Sequence, residues 1–443
     1  MTQAPPVRPG STAPFDASPV GVAAIAAPRT RPRFLPPTFD SLLHGPFRWY
    51  MAAMLGWNSA MSMSMLVRGY LAYDLTGSFA ALGVMSLASA VPMLVLSAWG
   101  GVIADRMPRK AVIQFGQVAG VILAFALAAL IFAGMLRFEY LLAMAVLHGT
   151  VIALMMPSQQ AMLPEVVGMD RMMNAVPLNA AGMNLMQIFA PAAGGFLIVA
   201  IGPAMVYVIM AALEGLSVLT LFRVRTTPLG SERAPSRGLG RRGAGGLSEL
   251  REGMRYLGRD RTILVLLLFS FVASVLSMPI RMLLPGYVAE VFDSDAIGLG
   301  QMQAAMGVGA LIGALALASV TVRRKRGIQV VAFEIGLGTA LVVFAAANGF
   351  LLAAALIFVV GLGTAGRQAL GQVLLHEYVE NEYRGRVMAI FMMQFAVMSL
   401  GTFLVGLFAE LVGPQVAIGS LGVTLVIIAT AFLVLVPRLR RLE

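Results

Sequence analysis

The chain has 443 residues, of which 59% are hydrophobic and only 12% charged; it has no cysteine, and its mean hydropathy is +0.84. An ordinary soluble domain is about 45–50% apolar and about 25% charged. The composition therefore excludes a soluble enzyme, a nucleic-acid-binding protein and a disordered chain, and the missing thiol excludes disulfide scaffolds, zinc ribbons and thiol chemistry. The net charge of +11 has to be weighed against membrane topology before nucleic acid is considered.

In chain order, residues 1–44 come first. Residues 1–40 hold nine prolines and several arginines with no packable face, the pattern of a disordered tail. The apolar piece Gly21–Ala27, between Pro19 and Pro28, is short for a signal-peptide core. A helix needs ~20 mostly apolar residues to cross ~30 Å of hydrocarbon. Twelve stretches meet this, at about 47–73, 79–103, 111–135, 139–163, 175–199, 202–222, 263–288, 297–321, 328–347, 350–374, 386–410 and 414–436. The runs are long, continuous and lack two-residue alternation, so they read as helices and not barrel strands. Short turns with breakers separate them, such as Asp74–Ser78, Ala200–Pro203 and Leu411–Pro414. Small residues, as in Gly307–Gly313, let membrane helices approach closely.

Residues 224–262 form a basic Gly/Ser/Arg linker between a six-span half at 45–223 and another at 263–436, with a short tail at 437–443. Within the linker, Leu247, Leu250, Met254 and Leu257 recur at helical spacing, which predicts a short amphipathic helix on the membrane face. Of the 32 basic residues, 28 fall in the tails, the linker and alternate loops on one side, and Arg137 alone lies in a loop on the other. Positive loops stay in the cytoplasm, so both termini are expected there, and the charge is mainly topology, with no nucleic-acid partner.

The halves resemble each other in outline. Residues 81–85 (ALGVM) stand like 298–302 (GLGQM), and PEVVGMDRMMNAV from Pro164 stands like HEYVENEYRGRVM from His376. A duplicated six-span unit with a central linker is a parallel-repeat transporter pattern, with a binding site near the midplane between the halves.

The loop after span 2 reads Gly101-Val-Ile-Ala-Asp105-Arg106-Met-Pro-Arg109-Lys110. It resembles the G-x-x-x-D-R-x-G-R-K motif of the major facilitator superfamily, with Pro108 in the glycine position. YDLTGSFAALGVM, AMLPEVV, APAAGGFL, EGMRYL and YRGRVMAIF further resemble its enterobactin-exporter-like and macrolide-efflux-like bacterial branch. The stretch Ala190-Pro191-Ala-Ala-Gly194-Gly195 is similar to the G-P-x-x-G-G antiporter motif, its first glycine replaced by alanine. The resemblance implies an all-α membrane protein: twelve transmembrane helices in two pseudo-symmetric six-helix bundles. It also implies a cytoplasmic latch, in which Asp105 faces the positive amino-terminal end of span 11, with Arg106, Arg109, Arg384 and Arg386 nearby.

Charged groups inside spans are costly and are expected to face protein or water. Arg68, Arg281 and Arg367 lie in spans 1, 7 and 10, and His148 lies in span 4; the resemblance implies that these four spans line the central cavity. Arg68 and Arg281 sit at similar depth in equivalent helices. These residues, with Asn58, are candidate substrate or gate groups; the alternative has them snorkelling, or bonded to carbonyls and to acids such as Asp74 and Glu290. Gln301, Gln303 and Gln394 are weaker polar candidates. No nucleotide motif supplies energy, so proton coupling is the economical expectation. Glu214 in span 6 is the leading carboxylate for it, and His148 the alternative, since imidazole ordinarily titrates near working pH. Glu334 in span 9 is nearer the cytoplasm, within reach of Arg323 or Arg324. The expected protein is a lipid-embedded, monomeric, cofactor-free antiporter of the bacterial cytoplasmic membrane that exchanges protons for small amphipathic drug- or macrolide-like molecules. A siderophore exporter and a non-transporting accessory or lipid-handling protein are the alternatives.

Overall fold

The computed structural model describes residues 41–168, 171–224, 255, 261–319, 326–378 and 394–435. Its helices are α1 (Gly45–Thr76), α2 (Phe79–Arg106), α3 (Arg109–Phe132), α4 (Phe138–Val167), α5 (Met172–Phe222), α6 (Arg261–Ser277), α7 (Pro279–Phe292), α8 (Ala296–Ser319), α9 (Arg326–Ala345), α10 (Phe350–Tyr378), α11 (Gln394–Val412) and α12 (Pro414–Leu435). Among the described residues, nine helical stretches are long and apolar enough to cross a membrane. One of the nine is α5, whose 51 residues would run ~75 Å if straight. It folds back at Gly202, where φ is +83°, a conformation that costs a residue with a Cβ and suits glycine. The Ala200–Pro203 turn expected from sequence is this bend, and α5 makes two crossings.

Two more crossings complete the set of twelve. Helix α1 is diluted by Asn58, Ser59, Ser64 and Arg68, yet it is central and buries Phe47, Tyr50, Trp57 and Leu66. Helix α11 contributes the shorter apolar stretch Val397–Val412. The seventh crossing, expected as one continuous run, is broken at Met278 into α6 and α7, with Pro279 opening the second piece. Proline is favoured there because a first-turn N–H has no helical partner.

In the amino-terminal half, α1 packs on α5, α2 on α4, and α3 on both α4 and α5; in the other half, α8 packs on α10, and α9 on α10 and α12. The pseudo-symmetry is visible in small-residue contacts. Gly100 and Gly149 let α2 and α4 touch at Ala153 and Ser89; Gly309 and Gly361 do the same for α8 and α10 at Phe358 and Met306. Such contacts hold helices together where lipid removes the hydrophobic drive for association. Large apolar side chains such as Phe115 and Leu351 stand on the outer surface, 68% and 84% exposed.

The face that holds the start of α1 and the end of α12 is the tail side, and the opposite face is the far side. The halves meet through α2 with α11 and α5 with α8. A Cβ at Gly83 would lie 2.8 Å from Phe403 Cα, and one at Gly300 3.2 Å from the Pro191 carbonyl. Gly83 is near the far-side start of α2, and Gly300 near the far-side start of α8, so these contacts seal the far side.

Candidate coupling and translocation site

A cavity of about 30 Å³ lies inside the amino-terminal half, walled by α1, α3, α4 and the second limb of α5. One water needs roughly 10–15 Å³, so the space can hold water. Its polar lining is Ser64, Arg68, His148, Tyr207 and Glu214. Glu214 is 5% exposed, and neither its Oε2 nor the Tyr207 hydroxyl has a hydrogen-bond partner among the described residues. Arg68 donates through Nε to the Ser64 carbonyl of its own helix at 3.3 Å, and the His148 ring lies edge-on to Trp57, 6.3 Å between centroids. Gly120 makes room for the acid, since a Cβ there would stand 2.5 Å from Glu214 Oε2.

Three expected residues, Arg68, His148 and Glu214, thus share one small chamber within a half. The structure puts a carboxylate, a cation and an imidazole around space for water, an arrangement suited to taking up and releasing a proton. Tyr207 was not anticipated. A tyrosine in an apolar run carries no signal of its own; its position follows from the bend at Gly202, which returns α5 beside α1.

The other residues are placed separately. Arg367 Nε lies 2.9 Å from Glu334 Oε1, and its Nη1 donates to Ser274 Oγ at 3.1 Å. Glu334 is fully buried, and its partner among the described residues is Arg367; Arg323 and Arg324 lie outside the described residues. Arg281 is partly exposed, and its Nε has no hydrogen-bond partner among the described residues. The Asn58 amide donates to the Met54 carbonyl at 2.7 Å. Glu290, considered as a partner for the buried arginines, accepts instead from the Tyr73 hydroxyl at 3.0 Å. Gln303 is buried and Gln301 exposed.

The loop motif is a tail-side brace within the amino-terminal half. Arg109 Nη1 lies 2.9 Å from Glu165 Oε1 and donates to the Ala161 carbonyl at 2.8 Å, tying α3 to the end of α4. Lys110 Nζ donates to the carbonyls of Phe222 and Val224 at 3.0 and 2.9 Å, where a cation complements a helix carboxyl end. Arg106 is exposed and Gly101 borders open space. The Asp105 side chain, Arg384, Arg386, Gln394's side chain, Arg323, Arg324, the tail 1–40 and the amphipathic segment Leu247–Leu257, apart from Arg255, lie outside the described residues. In the antiporter-like stretch, Pro191 and Gly195 form the α5 surface against α8, and Gly194 faces Met63 of α1.

A family model described as transmembrane secretion effector matches residues 37–443. The multidrug efflux pump Tap of Mycobacterium tuberculosis is 27% identical over 65% of this chain and 68% of its own, and that of Mycolicibacterium fortuitum 24% over 90% and 97%. Macrolide efflux protein A of Streptococcus pyogenes is 27% identical over 38% and 42%, and the staphyloferrin A transporter of Staphylococcus aureus 22% over 79% and 86%. Among solved structures, a variant of the nucleoside transporter NupG superposes with a TM-score of 0.70 at 15% identity, covering 88% of this chain and 99% of that one. An inward-facing, unoccupied bacterial homologue of the lysosomal transporter Spinster gives 0.66 at 14%, over 89% and 98%.

Proposed function

Because the chain belongs to the transmembrane secretion effector family of the major facilitator superfamily, we propose that it is a proton-coupled antiporter exporting small amphipathic, drug- or macrolide-like molecules. The observation that carries coupling is the chamber in which Glu214, Arg68, His148 and Tyr207 surround space for water. In this reading Glu214 takes a proton while the far side is open. Its neutralisation loosens its attraction to Arg68, and the proton leaves on the tail side as the halves rock. The basic loops place the tail side and both termini in the cytoplasm of a bacterial inner membrane. Asp105 latches the tail side of α2 to the amino-terminal end of span 11, beside Arg384 and Arg386, when that side is closed.

The substrate path runs between the halves, where α1, α4, α7 and α10 supply the lining. Arg281, with an unpartnered buried Nε among the described residues, contributes a donor toward acidic or oxygen-rich substrate groups. That donor, and the kinship to a staphyloferrin A transporter, favour a siderophore as the second reading.

The test is a proteoliposome assay with an imposed pH gradient and a panel of drugs, macrolides and siderophores. Gradient-dependent movement of a drug, abolished in Glu214→Gln with normal insertion, is the expected result. Accumulation indifferent to the gradient, or full activity of Glu214→Gln, removes the coupling claim.

A further inference from the structure

A carboxylate of one half caps a helix of the other. Glu410 stands in the last turn of α11 on the far side, and its Oε2 accepts from the backbone N–H of Phe79 at 2.7 Å and of Ala80 at 3.3 Å. It accepts also from the Ser78 hydroxyl at 3.1 Å, while Ser78 Oγ caps the Ala81 N–H at 3.3 Å. The first N–H groups of a helix have no partner inside it, and an anion placed there meets the positive end of the helix dipole. Here the anion comes from a chain position more than three hundred residues away, in the opposite bundle. Beside it, Tyr73 of α1 donates to Glu290 of α7, a second bridge between the halves. Close apposition supports both: Gly406 lies against the Phe79 backbone and Gly83 against Phe403.

We infer that Glu410 is the gating residue of the far side, which holds that face closed and sets how readily it opens during transport. When the bundles rock apart at this face, α11 leaves α2; the Phe79 and Ala80 N–H groups and the carboxylate must then be hydrated separately. Glu410 therefore stabilises the far-side-closed state selectively, because its partners exist together only in that state.

The chain has no cysteine, so spin labels can be placed without background. A far-side pair at Leu75 and Leu411, 42% and 83% exposed, and a tail-side pair at Met173 and Leu435, 87% and 76% exposed, report the two faces by electron–electron distance measurement in liposomes. In Glu410→Gln the far-side distances lengthen and the tail-side distances shorten, with the far-side-closed fraction relative to the open fraction falling about threefold or more, as one lost charge–dipole contact allows. Ser78→Ala, which keeps the carboxylate and removes one donor, shifts both pairs in the same directions by less. A merely structural role would not move the two faces oppositely. Distance distributions of Glu410→Gln unchanged from the parent overturn the proposal; if that variant does not insert, unchanged distributions in Ser78→Ala overturn it. The measurement needs no substrate and no proton gradient, so it stands or falls apart from the coupling claim.

Discussion

At the level of single residues, Glu214 depends on Gly120. A helix that crosses apolar surroundings gains nothing from an acid unless space and polar neighbours come with it. Gly120 supplies the space: the methyl of Gly120→Ala would sit 2.5 Å from Glu214 Oε2, so the carboxylate must turn away from the chamber. The expected outcome is normal insertion with gradient-driven export reduced about tenfold, a change worth about 1.4 kcal/mol in the limiting barrier; initial-rate transport with quantified protein checks it. In the other half, Glu334 and Arg367 are a buried pair at 2.9 Å. Removing one member of a buried pair leaves an uncompensated charge and costs about 3–5 kcal/mol, whereas replacing both by apolar groups is close to neutral. Arg367→Ala is therefore expected to lower the detergent melting temperature sharply, and Glu334→Leu/Arg367→Leu to recover most of it. Equal losses in the single and double variants would show that the pair contributes packing alone.

At the level of helices, the sequence was most readable where a breaker had to interrupt an apolar run. The Ala200–Pro203 turn is an example: Gly202 adopts φ +83° and divides α5 into two crossings. With ψ at 156° the position lies in an extended region that is essentially glycine's own, where a side chain costs about 1–3 kcal/mol, so Gly202→Ala should destabilise the amino-terminal half by that amount in a thermal or denaturant melt, while Gly215→Ala, in the second limb with open space around it, should not. The break between α6 and α7 was missed although Pro279 marks it, because hydropathy runs straight through the proline. Glu214, Arg68 and His148 could be picked out one by one, as charges or imidazole inside apolar runs. Their convergence could not, since it depends on the rotation of four helices about their axes. Helices apolar on all sides give no periodicity from which to read that rotation. Glu410 was invisible for a related reason. A carboxylate four residues before Pro414 looks like an ordinary end of span, and its meaning comes from α2, which only the fold brings alongside.

For the molecule as a whole, the repeat and the basic loops jointly require that α3 begin and end on opposite faces with known sign. Met107 precedes α3 on the tail side and Met135 follows it on the far side; they are 44% and 58% exposed. The tail side carries Arg106, Arg109 and Lys110 beside Met107, whereas Met135 has only Arg137 nearby. Retention of positive charge in the cytoplasm gives the expected direction, with the tail side inward. In intact cells, Met135→Cys should react with a membrane-impermeant maleimide, and Met107→Cys only after permeabilisation; the absence of native cysteine makes each label unambiguous. The orientation decides what transport means, because the far-side seal closes toward the outside only if Met135 is external. A reversed labelling pattern would put the Arg109–Glu165 brace and the tail side outside and turn the sealed face toward the cytoplasm.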